Sequence, residues 1–291
     1  MRCMARVALA LLAVWPGSVA GQSGPSAGLS PGLSISVRGE PAQPGSVLAV
    51  TVTTPDDVEH VSGEAFGQHV AFVRGTSPRV WHGLIGVDVA ASGSSSLVVL
   101  GTARPLTLSP RQFRTRRLRV ASQFVDPSPQ ELERIRVEAA RLEAIFGTVT
   151  IPAQIEAFAR PVPGMPSGNF GNRSVFNGEP RAPHAGEDFR GTTGTPVHAP
   201  GGGRVVLADN LFFTGQTVVI DHGLGLYSLL AHLSRIDVMP GQHVARGDAI
   251  GLLGATGRVT GPHLHWTVRL GGARVDPLRV LALLAPDTPV G

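Results

Sequence analysis

The chain has 291 residues, 42% of them hydrophobic, which is enough for one large domain or two ordinary ones with a sizeable buried core. All 25 basic residues are Arg and stand against 21 acidic ones, for a net charge of +4. The two signs are interleaved, so the Arg/aromatic stripe of a nucleic-acid binder is absent.

The first residues read as an export signal. Arg2 and Arg6 form a positive head, Val7 to Val14 is a short apolar run, and Pro16-Gly17 breaks it. Ser18-Val19-Ala20 then offers a small-residue cleavage site after Ala20. The run falls well short of the ~20 residues that span a bilayer, so no stable membrane anchor is expected after cleavage. Cys3, the one cysteine, leaves with the signal, and the mature chain then has neither a disulfide nor a thiolate ligand. A periplasmic or secreted protein is expected, and any metal in it must be held by His and carboxylates.

Residues 21–32 are rich in Gly, Ser and Pro and read as a flexible lead-in. From 33 to 121, short strands at 33–37, 47–53, 70–73, 84–89 and 97–100 alternate with Pro, Gly and Asp clusters. That pattern predicts a small immunoglobulin-like β-sandwich. His60, His69 and His82 are scattered through it and read as surface or edge residues. Ser128-Pro129-Gln130-Glu131 then has the form of a capping box. Leu132, Ile135, Ala139, Leu142 and Ile145 recur at helical spacing, which predicts an amphipathic helix within 128–147 that packs on one of the domains. From 160 to 285, Gly-rich turns separate strands at 205–207, 216–220, 226–230, 249–253 and 264–270. This reads as an antiparallel β domain with almost no helix.

Seven of the ten histidines follow residue 180. His184 and Asp188 lie four apart, and Pro183 and Gly186 place them in a loop or strand end rather than on a helix. An imidazole and a carboxylate both suit zinc. His263 and His265 are two apart, so on a strand they project from one face while Leu264 takes the other. His232 ends an apolar strand, and its meaning depends on the other two clusters. If all of His184, Asp188, His263 and His265 bound one zinc, the site would be closed and structural, whereas a hydrolytic site needs three ligands and a water. No H-E-x-x-H helix is present, so a His pair is the available substitute for that class's glutamate base.

From Phe170 to about Leu278 the chain resembles the lysostaphin-type peptidases of family M23, which include the LytM-like peptidoglycan endopeptidases. The landmarks occur in order: Phe170-Gly171, His184 to Phe189, Gly194 to Pro200, Ile220 to Leu226 and Ala231 to Ser234, then Val238 to Gly251, Gly254 to Gly257 and Thr260 to Trp266. The resemblance implies a peptidase domain of the duplicated-hybrid-motif kind, holding one Zn2+ per chain and acting on peptidoglycan. It implies His184, Asp188 and His265 as zinc ligands, His263 as catalytic base, and His232 as the second catalytic histidine, which assists the base or stabilises the oxyanion. All five positions are intact, unlike those of relatives that keep the fold and serve as amidase activators. Three departures stand out: Glu187 replaces an aliphatic residue, Leu230 an aromatic one and Asn169 a serine. The first is expected to alter charge near the metal, and all three to bear on substrate preference more than on metal binding. His222 reads as a structural turn residue, and His198 and His243 as surface residues. Two rivals remain, a non-catalytic binding or activator protein on the same fold and a zinc endopeptidase acting on proteins. The upstream domain and helix could block the groove.

Overall fold

The structure, a computed structural model, describes residues 32–119 and 127–286. The expected signal at 1–20, and all but residue 32 of the expected lead-in at 21–32, lie outside the described residues. Among the described residues no helix is long and apolar enough to cross a membrane.

Seven antiparallel strands form the N-terminal part: β1 (Ser34–Arg38), β2 (Val47–Thr53), β3 (Ser62–Ala65), β4 (Gln68–Arg74), β5 (Val80–Gly86), β6 (Ser95–Val99) and β7 (Thr102–Leu106), in the order β1-β2-β5-β4-β3-β6-β7. β4 is shared between two halves. Its first residues, Gln68 to Ala71, pair with β3, and Phe72 to Arg74 pair with β5. The sheet therefore bends at β4 and closes over one core, in which Leu48, Val50 and Val52 meet Trp81, Ile85, Leu97 and Val99. The seven-strand immunoglobulin sandwich has the same four-plus-three strand order, but here hydrogen bonds between β3 and β4 join the halves. β3 (Ser-Gly-Glu-Ala) and β7, which contains Pro105, alternate between buried and exposed residues but hold too few apolar ones for the sequence pattern to show it. Proline is tolerated in β7 because that strand lies at the sheet's edge.

Helix α1 (Pro129–Phe146) starts at the expected capping box, with the Ser128 side chain accepting from Glu131 N–H and the Glu131 carboxylate accepting from Ser128 N–H. The predicted apolar stripe is only partly used. Leu132 is exposed, Leu142 and Ile145 are partly buried, and Phe146 alone is fully buried, against Leu207 and Tyr227. Polar contacts hold the rest of the helix, including Arg134 on the Asn210 carbonyl and the Arg141–Asp209 ion pair.

The C-terminal part is a nine-stranded sheet of β11 (Gly186–Arg190), β12 (Pro196–His198), β13 (Gly203–Leu211), β14 (Gly215–Asp221), β15 (Leu226–Ile236), β16 (His243–Val244), β17 (Ala249–Leu253), β18 (His263–Leu270) and β19 (Ala273–Val275). Its main path runs β11-β18-β15-β14-β13-β16. A short helix, α2 (Pro277–Leu283), follows Asp276, whose side chain accepts from Leu278 N–H; the sequence reading had no helix there. A small three-stranded sheet joins β8 (Thr115–Leu118) to β9 (Arg173–Phe176) and β10 (Glu179–Pro180). The two large sheets share a core, since Val47, Ala49 and Leu84 of the sandwich pack in one cluster with Val268, Leu270, Val280 and Leu283. Arg274 grips Asp88 through two hydrogen bonds of 2.7 and 3.0 Å, and Arg111 pairs with Asp276 at 2.7 Å.

Candidate metal centre

β18 sits between β11 and β15, and this placement builds the site. Along β18 the side chains alternate, so Leu264 and Trp266 are buried in the core while His263 and His265 share the opposite face. Asp188 on β11 is the direct cross-strand partner of His265. On the other side, Ala231 of β15 pairs with His265. At the next residue β15 bulges: Gln216 pairs with Leu233 and Val218 with Leu230, leaving Thr217 opposite both Ala231 and His232. His232 takes a left-handed φ of 64°, uncommon outside glycine, and the extra residue turns its ring toward β18. His184 reaches the cluster from the loop before β11.

Three imidazole nitrogens converge on one carboxylate oxygen. Asp188 Oδ1 lies 2.8 Å from His265 Nδ1, 3.4 Å from His184 Nε2 and 3.8 Å from His263 Nε2. His184 and His265 meet edge to face with centroids 4.8 Å apart, and His232 lies 4.9 Å from the His263 ring. Ligand atoms of His184, Asp188 and His265 all fall within 4.8 Å of one another. One carboxylate oxygen cannot satisfy this many imidazoles, and the buried His184 Nδ1 has no hydrogen-bond partner among the described residues. Two nitrogens and one oxygen so gathered fit a cation. Both ends of the proposed ligand set are braced from behind: His265 Nε2 lies 2.9 Å from Thr267 Oγ1, and the Asn169 side-chain amide donates to Asp188 Oδ2 at 2.6 Å.

The two remaining histidines present a bare nitrogen. His263 Nδ1–H donates to the Gly261 carbonyl at 2.8 Å, and His232 Nδ1–H to the Thr256 carbonyl at 2.9 Å. A carbonyl only accepts, so in the neutral ring Nε2 of each carries the lone pair. Burial pushes the His232 imidazole down to about 4, with the nearby His265 and His263 adding to the effect and the Thr256 contact opposing it. Burial alone would raise Asp188, but hydrogen bonds and charge from His184 and His265 outweigh it and hold the carboxyl far below the usual range. Burial would lower His184, yet the Asp188 contact prevails and raises it. His265 stays lowered, because burial and the neighbouring His184 and His263 exceed the pull of Asp188.

The other histidines stand apart. His222 is fixed between the Gly202 carbonyl at 2.7 Å and Ser228 Oγ at 2.9 Å. His198 is half-buried on β12 and His243 is exposed on β16. Two expectations about the departures need correction. Leu230 is fully buried, so it fills the core and does not touch a substrate face. Asn169 bonds the carboxylate of Asp188 directly, so its contact is with the candidate metal group. Glu187 alternates away from Asp188 into the interior, where burial raises its carboxyl and backbone N–H groups of Gly168 and Phe170 bind it. Thr267 was missed in the sequence although the i, i+2 rule that paired His263 with His265 extends to it.

The profile of Peptidase family M23 matches residues 182–277, which contain this whole cluster. A solved Pseudomonas aeruginosa structure assigned to peptidase M23 is 32% identical, aligns over 83% of this chain and 95% of that one, and has a TM-score of 0.64. The chain belongs to peptidase family M23. It is 44% identical over 124 residues to the peptidoglycan DD-endopeptidase ShyA of Vibrio cholerae, covering 42% of this chain and 29% of ShyA. It is 40% identical over 104 residues to the DD-carboxypeptidase/endopeptidase Mpg of Neisseria meningitidis, covering 36% of this chain and 24% of Mpg. The chain thus spans under a third of the length of these curated relatives.

Proposed function

We propose that this chain is an exported zinc endopeptidase that hydrolyses peptide bonds of bacterial peptidoglycan. In this reading a β-sandwich domain over 33–121 and a helix over 128–147 precede a peptidase domain over 160–285. The observation that carries the proposal is the convergence of three imidazole nitrogens on Asp188 Oδ1. His184, Asp188 and His265 would hold one zinc, a three-ligand set that leaves a coordination position open. When bound, the metal supplies Lewis acidity, lowering the pKa of a water and polarising the scissile carbonyl.

The side chains around it divide the remaining work. Thr267 and Asn169 fix the ring of His265 and the carboxylate of Asp188. His263, with its Nε2 bare and facing the cluster, takes the proton of the attacking water and passes it to the leaving amine. His232, with Nδ1 committed to Thr256, offers Nε2 as a second proton acceptor. It becomes a hydrogen-bond donor to the oxyanion only once it is protonated. ShyA is named a peptidoglycan DD-endopeptidase and Mpg a DD-carboxypeptidase/endopeptidase, which makes a D,D peptide bond of peptidoglycan the first to assay.

The test is digestion of purified sacculi by the mature protein, with and without a zinc chelator, beside His263→Ala. Muropeptide release that stops with the chelator and in the variant is expected. Full release in the presence of chelator, or by the variant, would overturn the assignment.

A further inference from the structure

The turn at 166–172 runs beside 184–190 and touches it at almost every residue. Ser167 N–H donates to the Asp188 carbonyl at 2.9 Å, and Pro166 forms an isolated bridge with Phe189. Gly171 N–H donates to the His184 carbonyl at 2.9 Å, and His184 N–H donates to the Asn172 carbonyl at 2.9 Å. The backbone on both sides of two of the proposed metal-holding residues is therefore held by one turn.

Within the turn, Asn169 is clasped to Asp188 twice. Its amide nitrogen donates to Asp188 Oδ2 at 2.6 Å, and its amide oxygen accepts from Asp188 N–H at 3.2 Å. Oδ2 is thereby occupied and the carboxylate plane is fixed with Oδ1 toward the imidazoles. Glu187, pointing the opposite way, accepts from Gly168 N–H at 2.6 Å and Phe170 N–H at 3.4 Å, so the residues on both sides of Asn169 are tied down as well.

The turn is closed from its other side by the sandwich and the segment leaving it. Phe170 is 4% exposed. Its ring lies so close to Gly45, in the loop before β2, that a Cβ there would fall 2.5 Å from Phe170 Cε1. Phe113 meets Phe170 edge to face at 6.2 Å, and the Arg111 guanidinium lies 4.9 Å from the Phe113 ring centre and 5.6 Å from that of Phe170. Arg111 is itself fixed by Asp276 at 2.7 Å and by the Pro44 carbonyl at 3.3 Å. At Gly171 a Cβ would fall 2.2 Å from the Phe113 ring, and φ is 75°, so only glycine allows this approach.

We propose that Asn169 is a positioning residue for the metal-holding carboxylate of Asp188, and that the N-terminal sandwich and the segment leaving it, through Gly45, Arg111 and Phe113, hold the turn that presents it. The sandwich is then part of the metal centre's framework and not a detachable cover over the groove. The inference rests on the metal-site reading above.

The test is metal affinity of the full chain, by competition with a chelating dye, for the parent, Asn169→Ala, Asn169→Asp and Phe113→Ala. Co2+ loading adds a visible spectrum that reports ligand geometry. Partners of a metal ligand typically contribute about 10–100-fold in affinity, and a loss in that range is expected for Asn169→Ala. Asn169→Asp keeps the volume and the acceptor for Asp188 N–H but sets a carboxylate oxygen against Oδ2. It should lose at least as much affinity and change the Co2+ spectrum. Phe113→Ala, which touches no metal-holding residue, should lose affinity by a smaller factor. If Asn169→Ala does not fold, the near-isosteric Asn169→Asp decides. Parent-like affinity and Co2+ spectrum in a folded Asn169 variant would overturn the positioning role. Parent-like affinity in Phe113→Ala alone would remove the sandwich from it. A parent that binds no zinc would instead overturn the metal-site reading, and this proposal with it.

Discussion

Thr267→Val isolates a single hydrogen bond behind the metal site. Thr267 is 6% exposed, and its hydroxyl lies 2.9 Å from His265 Nε2. Without metal, His265 Nδ1–H can donate to the ionised Asp188 at 2.8 Å while Nε2 accepts from the Thr267 hydroxyl. If His265 holds the metal through Nδ1, the nitrogen that faces Asp188 Oδ1, the neutral ring must carry its proton on Nε2, and Thr267 Oγ1 becomes the acceptor of a buried N–H. Valine matches the shape of threonine and offers no acceptor. A buried N–H left without a partner costs about 1–3 kcal/mol. At about 1.4 kcal/mol per tenfold, that is roughly a 5–150-fold rise in metal Kd. The metal-free protein loses less, because a bare ring nitrogen there gives up only an acceptor role. The assay is a competition titration with a chelating dye at neutral pH, with circular dichroism showing that the fold is retained. Thr267→Ser, which keeps the hydroxyl, should recover most of the loss. A Thr267→Val protein that binds zinc within about twofold of the parent would refute the assignment of Nδ1 as the ligand atom.

Further outcomes follow from the same geometry. His263→Ala and His232→Ala should each lose peptidase activity while keeping stoichiometric zinc, whereas Asp188→Ala should lose the zinc itself; metal analysis beside muropeptide release separates the two classes. His222 is half-buried, and desolvation pushes its pKa down to about 4 against an ordinary value of 6.5. A depressed folded pKa means that its neutral form favours the fold above the unfolded value, and this stability is lost as pH falls from about 6.5 toward 4. At ~1.36 kcal/mol per unit the loss is about 3 kcal/mol, and His222→Asn should flatten this part of the urea-unfolding profile between pH 7 and pH 4.5. An unchanged slope would show that other groups carry the acid sensitivity. Tyr227 is 1% exposed, donates to the Thr148 carbonyl at 2.8 Å and meets Phe146 edge to face at 5.6 Å. Tyr227→Phe should cost about 0.5–1.5 kcal/mol in unfolding free energy by removing that hydrogen bond.

Much of this protein could be read from its sequence by itself. Leu264 to Leu270 was placed correctly because a period of two leaves one face apolar, and Val47 to Thr53 because a short apolar run between turn residues reads as a strand buried on both faces. The capping box at Ser128 and Glu131 announced α1 from local hydrogen-bonding chemistry alone. The facing of His263 and His265 followed from the same alternation. What lay beyond the sequence depended on partners distant along the chain. Local pattern does not give the register that sets Asp188 against His265 across 77 positions, or the bulge that turns His232 toward them. Strands β3 and β7 hold too few apolar residues to mark their buried face in the sequence and form because β4 and β6 hydrogen-bond to them. Asn169 and Glu187 looked like variations bearing on substrate. Only the folded turn shows that one binds the Asp188 carboxylate and the other is buried beneath it, because a polar side chain's role is set by which donor or acceptor the tertiary fold brings within about 3 Å.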